Sequence, residues 1–259
     1  MSGAPLARKR VLVTRPREHA APLAALILEA GGEPILFPAI EILRPADPNR
    51  FHGIADRLEQ FHLAIFISPT AVQKAFELWQ VRHPGRGWPS DVRVAAIGSG
   101  SARALERQGF KSVIVPAGEA DSEALLRLPE LGDVHGKTIV IFRGEGGREL
   151  LGDTLLARGA RVEYAECYRR ARPAVSATEP AWARDALDAV TVSSSEALAN
   201  LDAMLRGWRR DWLRESPLFV PHPRVAAEAA RLGASETIVA GAGDSETARA
   251  LIAYFRGAK

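Results

Sequence analysis

The sequence predicts an α/β protein built from two similar parallel-sheet domains. Three observations carry this. Short apolar runs alternate with longer amphipathic stretches, glycines fall where those stretches end, and the landmarks of the first half return in the second. Parallel strands cannot be joined by a tight hairpin, so strand–helix alternation implies parallel neighbours linked by crossover helices.

In chain order, Val11–Thr14 reads as a strand and Ala20–Ala30 as the helix that leads to the next strand, Pro34–Phe37. The strands Leu63–Ile67, Val92–Ile97 and Ser112–Val115 follow, with helices over Ala71–Trp79, Ser101–Gln108 and Ser122–Leu128. Thr138–Phe142, a helix over Glu149–Arg158 and Arg161–Tyr164 come next. The last third holds strands Ala189–Val192, Pro217–Val220 and Thr237–Ala240 among helices Glu196–Leu205, Val225–Leu232 and Ser245–Arg256. Gly31-Gly32, Gly109, Gly159 and Gly233 each follow a helical pattern, where a left-handed capping residue is wanted.

The repeat is specific. Arg10-Val-Leu-Val-Thr-Arg15 matches Thr138-Ile-Val-Ile-Phe-Arg143, and Ile35-Leu-Phe37 matches Val162-Glu-Tyr164. Phe66-Ile-Ser68-Pro-Thr-Ala71-Val72 matches Val192-Ser-Ser194-Ser-Glu-Ala197-Leu198. Ser101-Ala102 to Gly109 matches Val225-Ala226 to Gly233, and Asp121-Ser122-Glu123 matches Asp244-Ser245-Glu246. The offset drifts slowly from 128 to 123 residues, so the chain reads as two α/β units of similar length. Ile40-Glu-Ile-Leu-Arg44 and Glu166-Cys-Tyr-Arg-Arg170 follow the same strand in each repeat. Each leads into a polar, Pro-containing segment, Arg44-Pro-Ala-Asp-Pro48 and Arg172-Pro173, and these read as the two crossings between domains.

Composition narrows the function classes. Hydrophobic residues make up 47% and charged residues 25%, which excludes disorder for the bulk of the 259 residues. No apolar run reaches the ~18 residues of a membrane span, and the basic start lacks the apolar region of a secretory signal. Cys167 is the only cysteine, so neither an internal disulfide nor a thiolate cluster can form, and a reducing cytoplasm is the expected compartment. His19, His52, His62, His83, His135 and His222 show no paired ligand spacing, so no metal is expected. The net charge of +3 favours an acidic small molecule and gives little reason to expect nucleic acid. Cations are chiefly arginines, with five lysines in all, and a guanidinium fork grips carboxylates in pairs.

Three motifs imitate other chemistries. Gly98-Ser-Gly100-Ser-Ala-Arg103 with Glu119 resembles a dinucleotide fingerprint, but Arg103 stands where close helix packing wants a glycine. Gly144-Glu-Gly146-Gly147 lacks the Lys-Ser/Thr of a phosphate-binding loop. Met204–Glu215, with Arg206, Trp208, Arg209, Arg210, Trp212 and Arg214, could stack bases but reads better as a helix face with buried indoles.

Thr14-Arg15-Pro16, Ile67-Ser68-Pro69-Thr70-Ala71-Val72, Ala96-Ile-Gly98-x-x-Ser101-Ala102, Phe142-Arg143-Gly144 and Cys167-Tyr168-Arg169 together resemble the uroporphyrinogen-III synthase family. The match covers nearly the whole chain. It implies two flavodoxin-like domains joined by a two-stranded connector: a discontinuous domain of 1–40 with 172–259, a continuous one of 46–165, and connector strands at 41–45 and 166–171. It also implies a cofactor-free, monomeric lyase acting on hydroxymethylbilane, a linear tetrapyrrole bearing acetate and propionate arms. The terminal hydroxyl leaves as water, and the resulting azafulvene is attacked by the substituted carbon of ring D. The spiro intermediate then reopens and closes with that ring inverted. Positioning and acid assistance are what such a reaction asks of a protein.

Tyr168 is the expected acid, since it resembles the family's cleft tyrosine and a phenol, with a pKa of about 10, carries its proton at neutral pH. The other reading of Tyr168 is an aromatic packing between domains. Ser68, Gly98, Ser101, Ser193 and Ser194 sit at helix starts, where backbone N–H groups attract carboxylates and where a serine can equally be a plain N-cap. Arg15 and Arg143 occupy equivalent strand ends and are expected to bind substrate carboxylates, unless they are solvated strand-end charges. Two departures from the family pattern stand out: Thr70 replaces an asparagine, and His222-Pro-Arg-Val225-Ala226 lacks the glycine and hydroxyl of its counterpart. Arg224 or His222 would then have to make the contact. A non-catalytic two-domain binder of an acidic small molecule is the alternative function.

Overall fold

The computed structural model describes residues 4–118, 121–175, 181–184, 186–208, 211–241 and 243–257. Along the chain run β1 (Arg10–Val13), α1 (Arg17–Glu29), β2 (Glu33–Leu36), β3 (Glu41–Leu43), α2 (Pro48–Ala55), β4 (Leu63–Phe66) and α3 (Pro69–Arg82). Next come β5 (Arg93–Ala96), α4 (Ser99–Arg107), α5 (Ser122–Leu126), β6 (Thr138–Gly144), α6 (Leu150–Ala157) and β7 (Arg161–Ala171). The remainder holds β8 (Ala189–Thr191), α7 (Ser195–Leu205), α8 (Trp212–Glu215), β9 (Leu218–Val220), α9 (Pro223–Leu232), β10 (Thr237–Val239) and α10 (Asp244–Gly257). The chain divides into unit 1, Met1–Ile42 with Ala171–Lys259, and unit 2, Leu43–Arg170.

Unit 1 holds a parallel sheet in the order β10-β9-β8-β1-β2. Counted in order of appearance this is 2-1-3-4-5, a doubly wound arrangement whose direction reverses between β1 and β8. Helices cover both faces, so alternate residues of one strand feed different cores. Leu12 packs with Val190, Leu201 and Leu218 on one side. Val11 and Val13 pack with Leu23, Ile27, Phe219 and Leu251 on the other. Strands buried on both faces read as unbroken apolar runs, and this is why Val11–Val13 was legible as a strand.

The second sheet runs β3-β7-β6-β4-β5, with β7, β6, β4 and β5 parallel; it lies in unit 2 apart from Glu41 and Ile42 of β3 and Ala171 of β7, which fall in unit 1. By the repeat, β6, β7, β4 and β5 correspond to β1, β2, β8 and β9, so the same winding order recurs with its switch between β6 and β4. The strand expected over Ser112–Val115 is reduced to a single parallel bridge from Ile114 to Ala95, at the edge where unit 1 has β10. This stretch follows Gly109 and carries Lys111 and Ser112, so its apolar run is too short to sustain a ladder.

The polar segment 44–48 also ends differently from the expected crossing, because it starts α2. Asp47 accepts from the Asn49 amide at 3.0 Å, Pro48 occupies the first turn, and Phe51 and Ile54 are buried. An Asp-Pro pair before an apolar residue is itself a helix start. Within the segment 41–45 only 41–43 is strand, as β3 at the edge of the second sheet, and 166–171 is the far half of the 11-residue β7 rather than a separate element.

Leu12 is fully buried between its β2 and β8 neighbours. Leu12→Ala is expected to cost unit 1 about 2–5 kcal/mol in urea unfolding. A loss well under this range would contradict the close packing of that face.

Candidate functional site at the carboxyl edges of the sheets

Ligands of doubly wound sheets bind outside the carboxyl ends of the strands, at the point where strand order reverses. The structure distributes the candidate residues over that edge in both units. In unit 2 these are Ser68, Gly98, Ser101, Arg143 and Tyr168, and in unit 1 Arg15, Ser193 and Ser194.

In unit 2 the register of β6 against β7 shifts at its end. Arg143 pairs with Glu166, but Gly144 pairs with Tyr168, so Cys167 is the extra residue of a β-bulge. Cys167 and Tyr168 are both buried. The Cys167 thiol donates to the Arg143 carbonyl at 3.2 Å. Burial pushes this thiol up to about 12, so it carries no thiolate character.

Tyr168 is 4% exposed, and its ring lies over Gly144, where a Cβ would come within 2.7 Å of it. Its hydroxyl reaches the Ser68 Oγ at 3.2 Å. Ser68 is the N-cap of α3 and accepts from the Ala71 amide at 3.0 Å, so its remaining hydrogen-bonding capacity faces the phenol. A phenol, a serine and a helix N-terminus therefore meet at the switch between β6 and β4. The start of α4 is adjacent, since a Cβ on Gly100 would lie 3.4 Å from Pro69. Gly98 is the N-cap of α4 and offers no side-chain acceptor, which leaves first-turn amides uncapped, and Ser101 is buried within that turn.

Arg143 is 4% exposed and turns beneath the loop that follows β6. Its Nε donates to the Gly144 carbonyl at 3.2 Å, and its guanidinium sits 4.6 Å from the centroid of the Tyr164 ring. No carboxylate lies within ion-pair distance of it among the described residues. Burial raises the Tyr164 hydroxyl above its ordinary range, a shift partly offset by the Arg143 charge.

In unit 1, Arg15 follows β1 and its Nε lies 2.9 Å from Asp244 Oδ1 at the start of α10. The approach is ionic rather than a directed hydrogen bond, because that oxygen lacks hydrogen-bond geometry to any donor. Ser194 caps α7 through the Ala197 amide at 3.1 Å, and Ser193 precedes it, half-buried. Thr14 and Thr191 tie β1 to β8 by donating to the Thr191 and Leu12 carbonyls, at 2.7 and 3.0 Å. His222 is the N-cap of α9 without a side-chain cap bond, and it and Arg224 are exposed.

Thr191 carried no signal in the sequence, and Thr14 stood there only as part of the Thr14-Arg15-Pro16 motif. Gly144 was seen only as part of a motif, and its role exists only because a bulge brings Tyr168 over it. Of the rival motifs, Glu119, Arg209 and Arg210 lie outside the described residues, while Trp212 is buried beside Leu213.

The family model for uroporphyrinogen-III synthase HemD matches residues 21–253. The chain is 36% identical over 242 residues to a uroporphyrinogen-III synthase of Salmonella typhimurium, covering 91% of this chain and 96% of the relative. It belongs to the uroporphyrinogen-III synthase family. A synthase of Escherichia coli is 35% identical over the same shares of each chain. The fold agrees with a crystal structure of a mutant uroporphyrinogen III synthase from Thermus thermophilus, at a TM-score of 0.62 and 22% identity over 96% of this chain and 98% of that one. A uroporphyrinogen-III synthetase from Helicobacter pylori aligns at 0.61 and 14% over 95% and 99%. At these identities the two structures speak for the family's fold alone.

The raised thiol gives a test of the bulge. Cys167 should resist a thiol reagent at pH 8 in the native chain and react once the chain is unfolded in urea. The folded state holds this proton more tightly than the unfolded one, so the contribution to stability is complete below the ordinary thiol range near 9. It should be lost as pH rises from there toward about 12. Rapid native labelling would mean that the bulge opens to solvent.

Proposed function

We propose that this protein is a cyclising lyase that converts hydroxymethylbilane to uroporphyrinogen III with inversion of ring D. Sequence identity across 91% of the chain to relatives named for that activity supports the reaction class. The observation that carries the chemistry is the Tyr168 hydroxyl held against Ser68 at the start of α3. From there the phenol would donate its proton to the departing hydroxyl. Ser68 and the α3 N-terminus would stabilise the negative charge that this leaves on the tyrosine oxygen.

The rest of the predicted set would bind rather than react. Uncapped amides around Gly98 and Ser101, the Ser193-Ser194 turn and Arg15 would hold carboxylate arms. Arg143 would act by fixing the loop after β6, with its buried charge favouring an anion nearby. We further propose that the discontinuous 1–40/172–259 domain and the continuous 46–165 domain, linked by 41–45 and 166–171, form a cofactor-free cytoplasmic monomer. None of the described helices is long and apolar enough to cross a membrane.

Supplying hydroxymethylbilane and resolving the product isomers tests the reaction. The type III isomer is expected, whereas a non-catalytic binder would leave the type I isomer that forms spontaneously. Tyr168→Phe should lower kcat by about a hundredfold with KM little changed. Unchanged turnover would remove the acid role. Gly144→Ala, which drives a methyl into the Tyr168 ring, should reproduce the loss of kcat with native circular dichroism; wild-type kcat in that variant would show that the ring position is immaterial.

A further inference from the structure

A pocket of about 410 Å³ opens within unit 1 at the carboxyl end of β2, in the size range of small-ligand sites. Phe37, Trp182 and Trp208 line its apolar side, and Arg17, Glu18 and Glu41 its polar side. The rings form a cluster, with Phe37 edge-on to Trp182 at 4.9 Å and tilted against Trp208 at 6.2 Å. All three pack on the core beneath and remain only partly buried, so part of each borders the pocket. None of them belongs to the site described above.

Arg17 is the informative polar group. It is the first residue of α1, where a cation opposes the helix dipole, so the helix itself gains nothing from it. It is exposed and makes no ion pair or hydrogen bond among the described residues, as is also true of Glu41. The N-cap of α1 is Pro16, which supplies no side-chain acceptor to the first-turn amides. An aromatic cleft therefore stands beside a positive helix end and beside a guanidinium and a carboxylate that no described side chain engages.

We propose that this pocket seats one pyrrole ring of the acidic oligopyrrole, an assignment that rests on the proposed function. The electron-rich ring packs against Phe37, Trp182 and Trp208. Its N–H donates to the Glu41 carboxylate, and a carboxylate arm accepts from the Arg17 guanidinium. A pyrrole bearing acid arms matches this set because it offers an aromatic face, one donor and an anion together. Glu18 is engaged elsewhere, so a cationic ligand would find the rings and Glu41 but would meet Arg17 unfavourably.

The test uses the full chain and two readouts. Titration with a monopyrrole carrying one acetate and one propionate arm should quench tryptophan emission in the wild type. The quench should weaken about tenfold in apparent affinity in Trp182→Ala, Trp208→Ala and Arg17→Gln. With hydroxymethylbilane, the same variants should raise KM about tenfold while kcat stays within about twofold, and Trp208→Phe should recover most of the loss. Arg17→Gln changes an exposed side chain and keeps the test decisive if an alanine variant fails to fold. Wild-type KM and quenching in a folded Arg17→Gln variant would overturn the assignment, as would quenching by tetramethylammonium in place of the monopyrrole. If the wild type makes no type III product yet binds the monopyrrole through these residues, the reaction reading fails and the pocket assignment stands.

Discussion

The site in unit 2 depends on one extra residue in β7. The register shift sets which residue of β7 stands opposite the end of β6. The bulge at Cys167 shifts the pairing so that Tyr168 lies opposite Gly144, where a regular register would place Cys167. Several features then follow from it: the glycine that admits the ring, the thiol buried at the bulge, and the serine that meets the phenol. Bulges beside sites re-aim side chains, and here the residue shifted is the one proposed to act as the acid.

Much of the fold was legible because both sheets are covered on both faces. Runs such as Val11–Val13 and Ile139–Phe142 had to be continuously apolar, and the duplicated order fixed which run corresponds to which. What stayed hidden was what depends on hydrogen bonding rather than on burial. The adjacent apolar pair Cys167-Tyr168 between Glu166 and Arg169 breaks strand alternation. A strand covered on both faces can hold such a pair without a bulge, so the sequence leaves the two cases open. The Ser112–Val115 run has strand-like residues but only Ile114 reaches a neighbour. The helix α2 was announced by Asp47-Pro48, a signal that lost out to the expectation of a linker.

The repeat also shows how duplicated residues part company. Arg15 and Arg143 occupy equivalent strand ends, yet Arg15 engages Asp244 while Arg143 is drawn beneath its own loop by backbone carbonyls and the Tyr164 ring. The acids diverge in the same way. Asp121 accepts from the Ala124 amide at 2.7 Å and caps α5, whereas its counterpart Asp244 lies against Arg15. Sequence spacing predicted the equivalence of position and could not predict the division of labour. That division is set by what each guanidinium can reach: a carboxylate in unit 1 and only neutral acceptors in unit 2.

One property has survived the duplication intact. In each unit the helix after the third strand of the winding order is capped by a serine, Ser194 on α7 and Ser68 on α3. In each unit the helices after the first and fourth strands have no side-chain cap: Pro16 and His222 in unit 1, Glu149 and Gly98 in unit 2. An uncapped helix start costs stability relative to a serine cap, of the order of 1 kcal/mol for most residues and a few tenths for a glycine such as Gly98. The identities at these positions differ completely between the repeats while the lack of a cap is shared, so chance substitution is a poor account of it. Free first-turn amides at the carboxyl edge of a doubly wound sheet are anion sites that need no particular side chain. A substrate covered in carboxylates would be held largely by such groups.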